Sequence, residues 1–211
     1  ISCSLVGSEM CIRDRIIFMI ETKVCFVRHG QTDWNLNGFI QGRENNPLNK
    51  IGIQQARDTA RFLQSERWDI VISSPLIRAY DTAKEIAKAV GLSSILLDSR
   101  FIERDFGEIS GCEAMVYLEA PESQQWVGFE TDQEIQFRVW EGMQQVLHDH
   151  TGKRVIVVAH SHAIKAFLTQ IAPKQVQMRS KFQNACSSFV LHTGEKWILE
   201  RFNVSDHITV L

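Results

Sequence analysis

Short apolar runs alternate along this chain with segments in which apolar residues recur every three or four positions, and this alternation restricts the fold most. The strand-like runs are residues 24–27, 68–72, 95–97 and 155–159. Helical periodicity follows the first, second and fourth of them. This order predicts an α/β fold of three layers, α/β/α, with a mostly parallel central sheet. Residues 188–191 and 197–202 are predicted to pair as a hairpin, with an antiparallel strand late in the chain.

Length and composition narrow the class of protein. The chain has 211 residues, which suits one domain, and 44% of them are hydrophobic. The formal net charge is −2 with no basic run, so we expect no nucleic-acid partner and no membrane partner. No run reaches the roughly 18 apolar residues that span a bilayer. Five cysteines without a CxxC pair predict reduced thiols and a cytoplasmic location.

The start of the chain differs from the remainder. Residues 1–18 have no clear periodicity and resemble translated read-through from a sequencing adapter, so we expect them to be a non-native leader. We predict that residues 19–211 form a single domain, in which a small cap insertion occupies about residues 104–131.

Basic and polar residues follow the strand-like runs. Arg28 and His29 come directly after the first run, Arg78 lies in the first turn of the helix after the second, and His160 follows the fourth. Because the carboxyl ends of parallel strands meet at one edge of a sheet, we expect these side chains to lie together. A cation at a helix N-terminus is unfavourable for the helix, so Arg78 favours a bound anion there. Glu103, in a loop after the third run, is the candidate acid.

Three motifs resemble those of one enzyme family. They are Arg-His-Gly with Thr-x-x-Asn at 28–35, Ser-Ser-Pro-Leu-x-Arg-Ala-x-x-Thr-Ala at 73–83, and Val-Val-Ala-His at 157–160. Together they resemble the histidine phosphatase superfamily, whose phosphoglycerate mutase-like enzymes form a phosphohistidine. The chain departs from that pattern at Asn45, where Asp is usual, at Ile109-Ser110-Gly111, where Trp-Glu-Gly is customary, and at Ser161, where Gly is common.

The resemblance implies a role for each candidate residue. His29 would be the nucleophile that accepts the phosphoryl group, and a protonated His160 would stabilise the transferring oxygens. Arg28 and Arg78 would hold the phosphate, because a guanidinium stays charged and donates in a planar fork. Glu103 would donate a proton to the leaving oxygen and then, as a carboxylate, activate water. Neutral hydrogen bonds to the substrate would come from Asn35, Gly30, Gln41 and Thr32. The family implies neither a metal nor another cofactor.

The leading interpretation is a metal-independent phosphomonoester hydrolase that acts on a small phosphorylated metabolite. A cofactor-dependent phosphoglycerate mutase is the alternative, although the segment between Glu103 and His160 is shorter than in the mutases that resemble this chain. A homologue that binds without catalysis is a second alternative. A third comes from His160 and His162, whose His-x-His spacing recurs in metal sites.

The segment 112–130 is the expected specificity surface. Met115, Tyr117, Trp126 and Phe129 offer apolar contacts there, and the segment has few cations. This composition favours a partly apolar or sugar-like monophosphate over a bisphosphate. The sequence does not fix the oligomeric state, and a dimer stays open.

Overall fold

The fold is the three-layer α/β/α arrangement predicted from the sequence. A computed structural model of the chain describes residues 20–121 and 124–210. Its sheet has six strands, β1 (Thr22–Arg28), β2 (Ile70–Ser73), β3 (Leu96–Leu97), β4 (Arg154–Ala159), β5 (Ser187–His192) and β6 (Trp197–Val204). They lie in the order β3-β2-β4-β1-β5-β6. The strands β1 to β4 are parallel to one another, whereas β5 is antiparallel to β1 and to β6, so the hairpin prediction is confirmed.

Six α-helices connect and cover the strands. They are α1 (Asp33–Leu36), α2 (Lys50–Leu63), α3 (Ile77–Ala89), α4 (Ala114–Leu118), α5 (Asp132–His150) and α6 (Ser161–Ile171). Two short 3-10 helices, Ser99–Phe101 and Gly107–Ile109, lie in the loop region before α4. The capping box at Thr131 and Glu134, visible in the sequence, opens α5.

Two cores flank the sheet because side chains of a strand alternate between its faces. In β1, Val24 and Phe26 pack with residues of α5 and α6, whereas Cys25 and Val27 pack with residues of α2 and α3. The strand β4 alternates in the same way and is buried on both faces. These central strands are therefore held rigidly, and their carboxyl ends are fixed positions for functional groups.

One helix start differs from the prediction. A serine followed by a proline, as at Ser74 and Pro75, is a common helix start, but α3 begins at Ile77 and its N-cap residue, Leu76, makes no side-chain cap. The Ile77 N–H donates instead to Oδ1 of Asn45 at 2.7 Å. Asn45, which stands where Asp is usual in the family, therefore caps the start of α3.

Two sequence predictions concern segments that lie wholly or partly outside the described residues. The expected leader, residues 1–18, lies outside them entirely. In the expected cap insertion, Phe106 and Ile109 are buried in a small apolar cluster with Ile40, beside the carboxyl edge of the sheet. Among the described residues, no helix has both the length and the apolar character that crossing a membrane requires.

Candidate active site

His29 and His160 lie side by side at the carboxyl edge of the sheet. Each directly follows one of the paired parallel strands β1 and β4, in which Arg28 is opposite Ala159. Their ring centroids are 5.1 Å apart. Ser74 follows the next strand, β2, and its hydroxyl is 2.8 Å from Nε2 of His160. The sheet therefore brings the three predicted strand ends together.

His29 is held as a neutral imidazole with one free ring nitrogen. Its Nδ1 lies 2.7 Å from the carbonyl oxygen of Gly30, which only accepts hydrogen bonds, so Nδ1 carries the proton. Burial, and then the charge of Arg78, lower the pKa of His29 well below its usual range. In this tautomer the lone pair is on Nε2, so Nε2 is the ring nitrogen that can act as a nucleophile.

His160 is also neutral, which differs from the protonated imidazole expected from the sequence. The residue is 0% exposed. Burial, followed by the charge of Arg78, lowers the pKa of His160 well below its usual range. Among the described residues its Nδ1 has no hydrogen-bond partner. His160 therefore provides a buried ring nitrogen, rather than a fixed positive charge, in the site without substrate.

Arg78, which is buried, and Arg28, which is half-buried, supply positive charge. Arg28 donates to the carbonyl oxygen of Phe182, and Arg78 donates to those of Glu44 and Gly42, the latter at 2.8 Å. Those carbonyls fix the guanidinium groups in place, while each Nε atom is buried without a partner among the described residues. Both side chains line the same cavity as His29. This arrangement suits a bound oxyanion.

The carboxylate of Glu103 caps the N-terminus of α6. Its carboxylate accepts hydrogen bonds from the N–H groups of Arg104 at 2.8 Å, His162 at 3.1 Å and Ala163 at 3.3 Å. Burial alone would raise the pKa of Glu103, but these contacts and the nearby histidines hold it well below its usual range. Glu103 is therefore ionised before substrate binds, so a role as proton donor requires a proton that arrives with the substrate.

Arg138, on α5, is a positioning residue that the sequence analysis missed. It donates to the carbonyl oxygens of Arg100 and Ile102, each at 2.8 Å, and of Glu103 at 3.1 Å. It also pairs with Glu130 at 2.5 Å. These contacts fix the backbone that presents Glu103 to the cavity. No local sequence signal marks this role, because the backbone carbonyl groups that Arg138 binds lie more than 30 positions away in the sequence.

The predicted substrate-binding residues divide into two pairs. Asn35 and Gln41 line the cavity. Gly30 and Thr32 do not line it, and their polar groups have partners within the protein. The Gly30 N–H already donates to Oγ1 of Thr82 at 3.1 Å, and Thr32 is buried and forms a capping box with Asn35 at the start of α1.

The cavity beside His29 has a volume of about 360 Å³, within the range of small-molecule sites. Its apolar lining residues are Phe39, Ile40, Phe106, Tyr117, Leu118 and Met178. Of the four apolar residues predicted for specificity, only Tyr117 lines it. Trp126 and Phe129 pack against the ring of Tyr117 as part of the small apolar cluster, and Met115 is half exposed.

The cavity has more cations than the segment 112–130 supplies. Lys165, Arg179 and Lys181 line the cavity in addition to Arg28 and Arg78. They come from α6 and the loop after it, whereas the prediction considered only the segment 112–130. A sequence signal for Lys165 exists, since it is the one charged residue in the apolar stretch 163–168.

A family comparison agrees with the motifs that this geometry brings together. The model of the histidine phosphatase superfamily, branch 1, matches residues 24–205. The chain belongs to this superfamily.

Other superfamily members are similar over most of the chain. The uncharacterized phosphatase PhoE of Bacillus subtilis is 36% identical over 89% of this chain and 97% of its own length. The metal-independent phosphoserine phosphatase of Arabidopsis thaliana is 32% identical over 89% of this chain and 84% of its own. The crystal structure of a phosphoglycerate mutase from Bacillus anthracis superposes with a TM-score of 0.78 at 17% identity, covering 90% of this chain and 96% of that one. The last comparison confirms the predicted phosphoglycerate mutase-like fold.

The geometry does not favour the metal site that the spacing of His160 and His162 suggested. Nε2 of His160 bonds to Ser74, whereas Nδ1 of His162 lies 3.9 Å from Oε2 of Glu103. Over residues 20–121 and 124–210, no group of three or more histidine, cysteine, aspartate or glutamate side chains could hold a metal ion.

Proposed function

We propose that this chain is a phosphomonoester hydrolase that acts on a small phosphorylated metabolite through a phosphohistidine at His29, without a metal. One observation carries the proposal. His29 is neutral, its Nδ1 proton is held by the Gly30 carbonyl, and it shares a cavity with Arg28 and Arg78, whose Nε atoms are buried without a partner among the described residues. A nucleophile and a phosphate-binding pair are thus present at one place.

Membership of the superfamily and the names of the relatives support hydrolysis. One relative is named as a phosphatase and another as a metal-independent phosphoserine phosphatase. Cys25, Cys112 and Cys186 are free thiols. The cytoplasmic location inferred from the cysteine pattern stays a prediction.

In the first step, Nε2 of His29 attacks phosphorus and the bond to the ester oxygen breaks. Arg28 and Arg78 neutralise charge on the phosphoryl oxygens, and a ring N–H of His160 donates a hydrogen bond to one of them. Glu103 is ionised in the free site, so it takes a proton from the phosphate monoanion as it binds and passes that proton to the leaving oxygen. The products are an alcohol and a phosphorylated His29.

In the second step, water attacks the phosphohistidine. The Glu103 carboxylate accepts a proton from that water while the phosphorus–nitrogen bond breaks, which releases phosphate and restores neutral His29. Glu103 lines the cavity and is therefore within reach of a molecule bound there. The same carboxyl group thus serves as acid and then as base.

The decisive experiment compares the wild type with His29→Ala. Phosphate release from p-nitrophenyl phosphate and from 3-phosphoglycerate would be measured with and without EDTA, and intact mass would detect an acid-labile adduct. We expect metal-independent hydrolysis and a trapped adduct in the wild type, and loss of both in the variant by at least about 10³-fold. His148→Ala is the control, because that side chain is 83% exposed at the end of α5.

Other outcomes would separate the alternatives. Formation of 2-phosphoglycerate in place of free phosphate would establish the mutase. Binding of inorganic phosphate without turnover or adduct would indicate a homologue without catalysis. Activity that EDTA abolishes would return the His160 and His162 metal site to consideration.

A further inference from the structure

Lys165 is a buried cation in the candidate active site that the proposed mechanism does not use. It lies one turn into α6 and is 4% exposed. Ser161 and His162, four and three positions earlier on the same helix face, line the cavity with it. A lysine is seldom this buried unless its charge has a partner.

Lys165 has little compensation within the protein. Its only hydrogen bond among the described residues goes from Nζ to the carbonyl oxygen of Ser180 at 3.2 Å, and no described carboxylate lies within 4.0 Å of it. Glu103 is the nearest acidic influence, but its oxygens already accept backbone hydrogen bonds at the start of α6. Burial lowers the pKa of Lys165 to about 8, so it is mostly charged at neutral pH. An ammonium group therefore faces the cavity with donors to spare.

The charges lining the cavity exceed what a phosphate group needs. Five cationic side chains and one carboxylate, Glu103, line it. Arg28 and Arg78, next to His29, match the charge of a phosphate. Of the other three cations, Arg179 and Lys181 are exposed, so Lys165 is the single buried cation left over.

We propose that Lys165 binds a carboxylate on the leaving group of the substrate, so that the enzyme hydrolyses small phosphorylated hydroxy acids or amino acids. One ammonium group matches the single charge of one carboxylate, whereas a second phosphate group carries about two negative charges. The apolar walls near it, Phe106, Leu118 and Met178, exclude water and strengthen the ion pair. This inference rests on the proposed function and assigns the specificity of the same site.

A purely structural role for Lys165 makes a different prediction. Through Ser180 it holds the segment 178–182, whose other end is held by the bond from Arg28 to the Phe182 carbonyl. Lys165→Gln keeps a hydrogen-bond donor toward Ser180 and removes the charge, whereas Lys165→Arg keeps the charge. The two variants therefore separate anchoring of the loop from recognition of a carboxylate.

The test uses pairs of substrates that differ in the carboxylate. O-phosphoserine is compared with O-phosphoethanolamine, and 3-phosphoglycerate with glycerol 3-phosphate, as ratios of kcat/KM. Any effect of a variant on the shared chemical steps cancels in the ratio. We expect the wild type to prefer the acid of each pair by about tenfold or more, as for a hydrogen bond to a charged group.

We expect Lys165→Gln to lose that preference and Lys165→Arg to retain most of it, while the control Lys88→Gln, on the exposed surface of α3, matches the wild type. Circular dichroism would confirm that each variant is folded. A wild type without preference, or a Lys165→Gln variant that keeps it, would overturn this inference. If the wild type fails to hydrolyse p-nitrophenyl phosphate and all four esters, the proposed function itself fails.

Discussion

Burial and the charge of Arg78 set the pKa values of His29 and His160, and a bound phosphate would offset that charge. The charge of Arg78 helps to lower the pKa of His29 and of His160, so both rings are neutral in the free site. A phosphate bound to Arg28 and Arg78 would offset that positive charge. A neutral nucleophile and a strong anion site are thus compatible, because the same arginines maintain both.

The double role of Glu103 leads to a prediction about leaving groups. Glu103→Gln removes the proton donor of the first step and the base of the second, so hydrolysis of an alkyl ester such as 3-phosphoglycerate should fall by about 10²–10⁴-fold. p-Nitrophenolate needs no proton to leave, so the first step with that ester should continue while the second stalls. Stopped-flow absorbance should then show a burst of about one p-nitrophenolate per site, together with phosphorylated His29.

The control for this experiment is Glu195→Gln, in the exposed turn between β5 and β6. It should show the steady-state kinetics of the wild type. Equal losses with both esters and no burst would show that Glu103 acts through structure alone.

Among the elements, the loop after β1 depends on close contact with the start of α2. A Cβ atom on Gly30 would lie 2.3 Å from the carbonyl oxygen of Gly52, and one on Gly52 would lie 2.0 Å from that of Gln31. Two hydrogen bonds support this contact. The Gln31 N–H donates to Oε1 of Gln55, and Nδ2 of Asn49 donates to Oε1 of Gln31. The helix therefore fixes the backbone that carries His29.

Gly52→Ala should disturb this contact. The added methyl group meets backbone atoms that cannot rotate away, so we expect a loss of about 2–3 kcal/mol in the free energy of unfolding. Activity of the folded fraction should also fall, because the loop of His29 must move. Urea unfolding and kcat measured on the folded protein would test both effects.

Gly91→Ala serves as the comparison for Gly52→Ala. Gly91 has φ +76° but nothing within 4 Å of a built Cβ, so the variant carries backbone strain without steric overlap, far from the site. It should lose about 1 kcal/mol and keep full activity. A Gly52→Ala enzyme with wild-type stability would contradict the proposed contact.

The sequence predicts the elements better than the contacts between them. The strands β1 and β4 were predictable because their apolar runs are continuous, and His29 and His160 because they end those runs. The partner of the Gly30 N–H was not predictable, because Thr82 is distant in sequence and adjacent only once the helices pack. Arg138 was missed for the same reason, since its partners are carbonyl groups of a remote loop. A local sequence pattern predicts the element to which a residue belongs, whereas the partners of its polar groups depend on the tertiary fold.

For the whole molecule, the buried histidines tie stability to pH. His29, His160 and His162 are neutral when folded, and burial lowers the pKa of His162 to about 4. In the unfolded chain each would titrate near pH 6.5, so between about pH 6.5 and 4 the unfolded state binds more protons. Stability therefore falls as the pH falls through this window. Asp58, whose pKa of about 2 reflects hydrogen bonds from Thr209 that overcome its burial, adds a further loss below about pH 4.

We predict that these three histidines take up about three protons on unfolding at pH 5, and that the free energy of unfolding falls by at least about 3 kcal/mol between pH 6 and pH 5. His192 and His207, whose pKa values burial also lowers, add to both quantities. Urea unfolding at half-unit pH intervals would measure both quantities. His162→Gln should reduce the uptake by about one proton, because it removes one group whose pKa differs between the two states. An unchanged free energy of unfolding from pH 7 to pH 5 would mean that these histidines are protonated in the folded protein. In that case His29 could not act as the neutral nucleophile, so this stability measurement also tests the proposed chemistry.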